Sequence, residues 1–491
     1  MEVKKKAYGY IDENIDTHIK SMQRLLRQPS VSQTGEGMKE IVGLLKDWLV
    51  ELGCSSVEDV KPDYYWPIIY GEYNAGAEKT LILYGMYDVQ PVEPELWKVP
   101  PFEARLVELP SFKKVVMNRG STNTKGPMAA SLNALEAIQQ AAGELPINLL
   151  IVFEGEEEMG SRSMPGFVER YTPKLRRANG VYFPIGSQDQ NGLATPLLGS
   201  EGLLYIELET TGKSWGRGPT EFGVHGAYKR ILDSPAWRHI DMLSTLTCQN
   251  GNKIEVEGWY EGISVPSRED EELLEKGYRK SIPAVEVFDP GLIKASMKVE
   301  RFKHDMEEPR KILSEMIFST SFNLDGIWGG WTGPGTKTFL PTKVTSKHNI
   351  RFVPRQTLDG LQNKIRRHLD AHGYNDVEIR RLGGSSWGLG RYKDPVAEAM
   401  YDTFEEFGCK YSLTPPVGAL QFTSPAWPAY VFLDPPLKLP IIGGSLGHGA
   451  LAHSPNEYFV VEGCEAKHGR VHGLAGAEKS MVSFFYHFAS R

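Results

Sequence analysis

The sequence predicts an α/β protein with a smaller α+β domain inserted into it. Three short apolar runs, at residues 67–73, 80–84 and 148–153, have the length of buried strands. A helical stretch at 127–141 separates the last two runs, an alternation typical of a parallel sheet. From about residue 203 the pattern changes to alternating strands followed by amphipathic helices. This change indicates the α+β insert.

The remaining elements follow from apolar spacing. Two helices precede the first strand, over residues 14–27 and 38–53, with Gly53 ending the second. The elements expected in the insert are strands at 204–210 and 343–353 and helices near 227–247 and 358–372. A helix at 395–407 and strand-like runs at 430–433 and 458–461 then restore the first pattern. We therefore expect the C-terminal part to complete the first domain.

Composition is typical of a globular protein whose partners are small molecules. At 491 residues the chain exceeds the roughly 250–300 at which a single core stops growing, so two domains are expected. A formal net charge of −7 argues against a general nucleic-acid binder, which needs a basic face. No apolar signal core and no run of about 18 apolar residues occur, so we expect a cytoplasmic protein without membrane contact. Four cysteines without CxxC spacing predict no thiolate metal site.

Acidic and glycine residues gather where the predicted strands end. The segments are GMYD at 85–88, RGSTNTKG at 119–126 and EGEEEMGS at 154–161. Because α/β sheets bind ligands at the carboxyl ends of their strands, these segments are expected to form the site. Three successive glutamates at 156–158 would repel one another if all were buried and ionised. At least one must be exposed, protonated or paired, and a solvated acidic turn is the alternative.

Six longer segments carry a resemblance to a known family. In chain order they are LILYGMYDVQPVEPELWKVPPFE, RGSTNTKGPMAA, VFEGEEEMGS, GIWGGWTGPGTKTFLP, RFVP and GHGALAHSPNEYFVVEG. Their order and approximate spacing resemble the carnosinase/aminoacylase (ArgE/DapE-type) dizinc metallopeptidases. The resemblance implies a zinc-exopeptidase-like catalytic domain over 1–202 and 393–491. It also implies an inserted ferredoxin-like lid/dimerisation domain over 203–392.

Family members hydrolyse dipeptides and N-acyl amino acids. The resemblance therefore implies a small substrate that bears a carboxylate or amide, and a homodimer formed through the lid. No nucleic-acid or membrane partner is expected.

The resemblance also indicates which metal ligands have been lost. The family's first zinc is held by positions that match Met86, Asn123 and Ile185. Its second zinc is held by positions that match Asn123, Glu158 and His453. Thioether and alkyl groups bind zinc poorly, and a neutral amide in place of a bridging carboxylate removes ligand charge. We therefore expect a divergent member with no cofactor, the alternative being a single zinc or manganese ion.

The acid–base residues survive better than the metal ligands. Glu157 matches the family's general base, and metal-bound water would normally have its pKa lowered from about 16 to about 7. Our first hypothesis is a metal-independent acid–base reaction, whether hydrolysis, elimination or isomerisation, with Glu157, His453 and Asp88 as the catalytic residues. One alternative is a metal-dependent amidohydrolase with a single site rebuilt from Glu158, His453 and a third ligand, which would be Asp88, His448 or a loop histidine. The other is a non-catalytic protein that binds a small molecule.

Four polar residues are expected to bind the substrate. Asn123 belongs to the predicted site, whereas Lys337, Thr338 and Arg351 match lid residues with which family members hold a substrate carboxylate. A guanidinium suits such a group because it can form a bidentate contact. A salt bridge between lid strands is the alternative for Arg351.

Overall fold

The computed structural model describes residues 2–263, 268, 271–272, 289–411 and 427–491. The chain divides into two compact units. The first unit comprises Met1–Ser200, Arg268–Asp289 and Gly388–Arg491, and the insert unit comprises Glu201–Ser267 and Pro290–Trp387. Within the described ranges, every helix is too short or too polar to span a bilayer.

The described helices and strands alternate in the first unit and group together in the insert unit. The α-helices are α1 Glu2–Arg27, α2 Met38–Glu51, α3 Lys125–Ala142, α4 Met164–Leu175, α5 Gly212–Trp215, α6 Pro235–Leu246, α7 Pro290–Met297, α8 Pro309–Phe318, α9 Leu358–Ala371, α10 Pro395–Glu406, α11 Tyr430–Leu433 and α12 Leu474–Ala489. The strands are β1 Ser56–Val60, β2 Ile68–Tyr73, β3 Thr80–Met86, β4 Arg105–Leu109, β5 Phe112–Met117, β6 Asn148–Glu154, β7 Gly180–Phe183, β8 Gly199–Ser200, β9 Gly202–Thr211, β10 Val224–His225, β11 Thr247–Cys248, β12 Lys253–Ile254, β13 Ser321–Gly329, β14 Phe339–Leu340, β15 Lys343–Phe352, β16 Glu378–Ser385, β17 Gly388–Leu389, β18 Ile441–Gly443, β19 Gly449–Ala450, β20 Tyr458–Glu462, β21 Cys464–Ala466 and β22 Gly469–Val471.

A six-stranded sheet with the order β1–β2–β6–β3–β7–β18 forms the centre of the first unit. The four strands β6, β3, β7 and β18 run parallel, and β1 and β2 add an antiparallel edge. Alternate residues of β3 enter two apolar clusters, Leu81 and Leu83 on one face and Ile82 and Tyr84 on the other. Because both faces are covered, β3 and β6 are continuous apolar runs rather than alternating ones.

The C-terminal part of the first unit departs from two expectations. The run 430–433, expected as a strand, is the helical turn α11, which buries Val431 and Phe432. A short apolar run fits a buried helical turn as well as a strand, and the strand that pairs with β7 is instead β18. The expected strand at 458–461 exists as β20, but it belongs to a second sheet ordered β19–β20–β5–β4.

At the N-terminus, α1 begins at Glu2 rather than near residue 14.

The insert unit is an antiparallel sheet with helices on one face. Its strand order is β13–β15–β9–β16, and each neighbouring pair is antiparallel. Ile206 and Leu208 of β9 pack in one cluster with Met242 of α6 and Ile365 of α9. The predicted α/β fold with an α+β insert is thus confirmed.

A chain of buried hydrogen bonds connects three strands and one helix of the insert unit. His348 Nδ1 lies 3.1 Å from the Asn323 carbonyl oxygen, which can only accept, so Nδ1 carries the proton and Nε2 accepts from Ser346 Oγ at 2.8 Å. Ser346 Oγ in turn accepts from His239 Nε2 at 2.9 Å. His239 Nδ1 then accepts from Thr210 Oγ1 at 2.9 Å. Both imidazoles are therefore neutral, each with an assigned tautomer.

Acid is expected to destabilise the insert unit through these two imidazoles. Burial lowers the pKa of His239 and of His348 to about 4, and His348 lowers that of His239 further. The unfolded chain therefore takes up protons first, and stability is lost as pH falls from about 6.5 towards 4, by up to about 1.4 kcal/mol per pH unit for each imidazole. Urea unfolding followed at pH 7 and pH 5 measures this loss. The double variant His239→Asn/His348→Asn should show a weaker pH dependence, whereas the exposed control His304→Asn should not.

Candidate active site

The parallel strands β3 and β6 bring two polar segments to one edge of the first unit's sheet. Met86, the last residue of β3, is paired with Glu154, the last residue of β6. Asp88 therefore follows β3 beside the acidic turn that follows β6. In this turn, residues 157–159 form a single 3-10 turn closed by Gly160, whose positive φ of 89° suits glycine. The sequence-based expectation of a site at this edge rests on the same topology.

The carboxylate of Asp88 holds the acidic turn by accepting hydrogen bonds from the backbone of the turn. The two carboxylate oxygens of Asp88 accept hydrogen bonds from the backbone N–H groups of Glu157, at 3.2 Å, and Glu158, at 3.0 Å. The side chain is fully buried, and burial, followed by the charge of Glu158, raises the pKa of Asp88 to about 7. Asp88 therefore orients the two glutamates.

Three side chains meet at the carboxylate of Glu158. Asn123 Nδ2 lies 2.9 Å from one carboxylate oxygen and Gln90 Nε2 lies 2.8 Å from the other. His453 Nε2 lies 3.1 Å from Glu158 and 3.0 Å from Asn123 Nδ2. The carboxylate is nearly buried, with 3% of the side chain exposed, so these donors replace its lost hydration. The hydrogen bond that His453 donates to the Glu158 carboxylate raises the pKa of His453.

Glu157 differs from Glu158 because its carboxyl group has no hydrogen-bond partner among the described residues. Burial raises its pKa well above the usual value, and the neighbouring charges of Glu158, Asp88 and Glu154 add to the effect. The side chain remains partly exposed. Its carboxyl group is thus available to exchange a proton with a bound molecule.

Glu457 holds the loop that carries Asn123. Its buried carboxylate pairs with Arg119 at 2.7 Å and accepts hydrogen bonds from the backbone N–H groups of Gly120, Thr122 and Asn123 at 2.9–3.1 Å. Arg119 also donates to the carbonyl oxygen of residue 454 at 3.3 Å. This one carboxylate therefore fixes the positions of the two segments from which Asn123 and His453 project.

Two positions that match lost metal ligands lie against apolar side chains. Met86 is 1% exposed and belongs to the cluster of Tyr84, Phe183 and Trp427, against which Ile185 also packs. The rings of Phe183 and Trp427 have centroids 5.1 Å apart. None of these side chains offers the charged oxygen or imidazole nitrogen that zinc prefers. The residues at these positions therefore do not fit a metal ion.

The other candidate site residues, in the insert unit and at His448, contact residues outside the cluster around Glu158. Arg351 forms an ion pair with Glu201 inside the insert unit, which matches the salt-bridge alternative. The ammonium group of Lys337 lies 5.3 Å from the Trp331 ring centroid. Thr338 Oγ1 lies 3.3 Å from His225 Nε2. In the first unit, His448 is buried, with both ring nitrogens in hydrogen bonds to residues 188 and 458. Substrate binding by Lys337, Thr338 and Arg351 stays a prediction.

Sequence reasoning missed Gln90 and Glu457. Gln90 stands two residues after Asp88 in the same loop, so its position gave a signal, but an amide side chain has no charge to single it out. Glu457 stands in HSPNE, four residues after His453, and nothing local indicates that it reaches residues 119–123. Asp88, Asn123, Glu157, Glu158 and His453 are brought together as expected.

Comparison with known proteins identifies the scaffold. A model of the peptidase family M20/M25/M40 matches residues 82–469. The chain belongs to this family. This finding confirms the resemblance seen in the sequence motifs.

Relatives within the M20 family cover nearly the whole chain. The Cys-Gly metallodipeptidase DUG1 of Candida albicans is 27% identical in an alignment of 498 positions that covers 95% of this chain and 96% of that protein. The human Beta-Ala-His dipeptidase is 27% identical over 384 residues, 74% of this chain and 71% of that protein. The structure of an M20 family metallo-carboxypeptidase from Sulfolobus solfataricus superposes with a TM-score of 0.83 at 27% identity, covering 96% of this chain and 99% of that one.

The expectation of no cofactor is wrong for this M20 family chain. Relatives that cover at least 95% of it are metallopeptidases by name, among them the DUG1 dipeptidase and the Sulfolobus carboxypeptidase. The expectation gave more weight to the ligands lost at Met86, Asn123 and Ile185 than to Glu158 and His453, which remain, and kept a single zinc or manganese ion only as its alternative.

The residues present fit one metal ion and not two. Within the described ranges no group of three His, Cys, Asp or Glu side chains converges. Glu158 and His453 nevertheless supply one carboxylate and one imidazole nitrogen 3.1 Å apart. The amide of Asn123 contacts both, and rotation by 180° about its last bond would present oxygen instead of nitrogen. A single ion could thus have three protein ligands, whereas Met86 and Ile185 provide none for a second.

Proposed function

We propose that this chain hydrolyses the amide bond of a small dipeptide or N-acyl amino acid at the site formed by Glu157, Glu158 and His453. The observation that carries the proposal is the carboxyl group of Glu157, which lies beside the Glu158–His453 pair and has no hydrogen-bond partner among the described residues. The names of the M20 relatives, Cys-Gly metallodipeptidase and Beta-Ala-His dipeptidase, support this class of substrate.

Each residue of the site has one role in this proposal. Glu157 takes a proton from the attacking water and passes it to the leaving nitrogen, the usual task of a carboxylate base. The imidazole of His453, 53% exposed, supplies a nitrogen ligand for a single metal ion. Asp88 keeps both glutamates in place through their backbone N–H groups.

A single metal ion would be held by Glu158 and His453, with the amide oxygen of Asn123 as third ligand. Zinc or manganese bound there would polarise the scissile carbonyl group and make a coordinated water more acidic. The proposal adopts the single-metal alternative in place of our first hypothesis of metal-independent chemistry, and the metallopeptidase names of the relatives support this choice. Glu158 is suited to this role because the amide of Gln90 fixes its second oxygen at 2.8 Å.

Metal content and hydrolysis together test the proposal. The purified chain, dialysed against zinc or manganese, is expected to hold one ion, and hydrolysis of a panel of dipeptides and N-acyl amino acids should fall at least about tenfold on chelation. Readdition of the ion should restore the rate. Two ions per chain, hydrolysis indifferent to chelation, or no hydrolysis of any panel member by the loaded protein would each contradict it.

We further propose that a second copy of the chain covers one apolar face of the insert unit. Trp237 and Ile240 lie three residues apart on α6, 59% and 46% exposed, and Tyr228 and Ile231 precede them at 53% and 77%. Large exposed apolar groups so close in sequence are typical of an interface. The proposed occupant is a second copy because the resemblance to the family implies a homodimer formed through this inserted domain.

The interface proposal makes a prediction about mass in solution. The wild-type chain should elute as a dimer in size-exclusion chromatography with light scattering, and Trp237→Glu/Ile240→Glu should elute as a monomer. Val50 is 62% exposed on α2 of the first unit, so Val50→Glu serves as the control and should remain a dimer. A monomeric wild type, or a dimeric double variant, would refute the interface.

A further inference from the structure

The loop before β2 lies at the same edge of the sheet as the acidic turn. β2 runs antiparallel to β6, with Ile69 paired with Phe153, so the chain enters β2 where β6 ends. Residues 61–67, which join β1 to β2, are therefore neighbours of the turn that carries Glu157 and Glu158. Tyr87, the residue before Asp88, donates its hydroxyl hydrogen to the Pro67 carbonyl oxygen at 2.6 Å.

Hydrogen bonds fix this loop to the acidic turn. The carboxylate of Glu156 accepts from the backbone N–H groups of Tyr65, at 2.7 Å, and Trp66, at 2.8 Å. The backbone N–H of Tyr64 donates to Ser163 Oγ at 3.2 Å. Glu156 is buried, and Ser163 Oγ donates to the same carboxylate at 2.9 Å. The backbone of residues 64–66 is therefore held by the turn itself.

The two tyrosine side chains of the loop are exposed, and the guanidinium group of an arginine lies over their rings. Tyr64 and Tyr65 are each 54% exposed. The guanidinium carbon of Arg162, four residues after Glu158, lies 4.2 Å from the Tyr64 ring centroid and 5.8 Å from that of Tyr65. Within the described part of the chain no carboxylate pairs with Arg162, because Asp63, the one acidic residue of the loop, pairs with Arg170 at 2.7 Å.

Arg162 donates one N–H to the Tyr65 hydroxyl oxygen at 3.5 Å, which leaves its other N–H donors for a further partner. Stacking on tyrosine orients the group and reduces the entropy lost when an anion binds. The planar fork of N–H donors matches a carboxylate in a bidentate contact. Arg162 is thus an oriented cation at this edge, and no carboxylate of the described chain neutralises it.

We propose that Arg162, Tyr64 and Tyr65 form a carboxylate-binding subsite at the rim of the active-site edge, which takes an acidic side chain or the terminal carboxylate of a peptide. The inference rests on the proposed peptide hydrolysis and names a preferred substrate class, peptides with a carboxylate on the residue that reaches this rim. The tyrosine rings supply the apolar contact for the methylene groups of that residue.

Calorimetric titration with four peptides tests the subsite, with Glu157→Gln as background so that no turnover occurs. The peptides are glycyl-aspartate, glycyl-asparagine and the C-terminal amides of both. The background protein should bind one carboxylate form about fivefold more tightly than its amide counterpart. Arg162→Gln should abolish that preference, and Arg162→Lys should retain part of it. The matched control Arg105→Gln removes an exposed arginine from β4 and should leave the preference unchanged.

The pattern of the four affinities assigns the ligand. A preference for aspartate over asparagine that Arg162→Gln removes places an acidic side chain on Arg162, and a preference for free over amidated C-termini that it removes places the terminal carboxylate there. Either result supports the subsite. The proposal is overturned if the peptides are not distinguished by charge, or if Arg162→Gln keeps the preference while circular dichroism shows an intact fold. A charge preference without hydrolysis in the wild type would reject the proposed reaction and leave the subsite standing.

Discussion

Replacing Glu157 with glutamine is expected to lower kcat for peptide hydrolysis by roughly three orders of magnitude, the upper part of the range for a general base. The amide has nearly the same shape, but it cannot accept the proton of the attacking water. KM should change little, because the carboxyl group has no hydrogen-bond partner among the described residues to lose. Steady-state kinetics with the best dipeptide of the panel measures both constants.

The same substitution should leave the fold intact or stabilise it. Burial, followed by the charges of Glu158, Asp88 and Glu154, raises the pKa of Glu157, so replacing the acidic group with an amide removes an unfavourable buried charge and its repulsion. The control is Glu169→Gln on the exposed side of α4, which should keep the wild-type kcat. If Glu157→Gln retained more than about a tenth of the wild-type kcat, Glu157 would not be the base.

Asn123→Asp is expected to tighten zinc binding by about ten- to a hundredfold without raising the number of ions per chain. Asn123 already contacts both Glu158 and His453, so the new carboxylate would complete a set of three charged or imidazole ligands. The number of ions stays at one because Met86 and Ile185 still lie in apolar surroundings. Equilibrium dialysis with elemental analysis measures both quantities.

Without metal, the same variant should be less stable than the wild type. The aspartate would place a second carboxylate against Glu158 and remove the N–H donor that now lies 2.9 Å from it. Asn252→Asp, on the exposed surface of the insert unit, provides a control with the same change in charge. Unchanged zinc affinity in Asn123→Asp would mean that Glu158 and His453 do not hold the ion.

Local patterns predicted the central strands because burial on both faces requires nearly unbroken apolar runs, as in β3 and β6. The run 430–433 satisfied the same pattern and is nevertheless helical, because four apolar residues can be buried in either geometry. The difference lies in tertiary packing, which a local pattern does not contain. The length of α1 was underestimated because its N-terminal half, with three successive lysines, is less apolar than its C-terminal half.

The site residues that could be predicted from the sequence are those with ionisable side chains in recognisable segments. The run of glutamates and the HSPNE segment pointed to Glu157, Glu158 and His453. Gln90 carries no charge, and its role depends on the second oxygen of Glu158, which only the folded chain brings within 2.8 Å. The prediction of no cofactor was wrong for a related reason. The sequence shows which ligand types are missing, but only the folded chain shows that Asn123, Glu158 and His453 lie in contact.

The buried carboxylate of Glu457 also determines when the site can form during folding. It joins Arg119 across 338 positions of sequence, and it reaches the backbone of Asn123 across 334. Contacts so distant in sequence require closure of a long loop, whose entropy must be overcome before they contribute. A ribosome-bound chain that still lacks the segment around residue 457 therefore has the acidic turn but not the Asn123–His453 contact. The active site can therefore be completed only after the chain has been synthesised beyond residue 457.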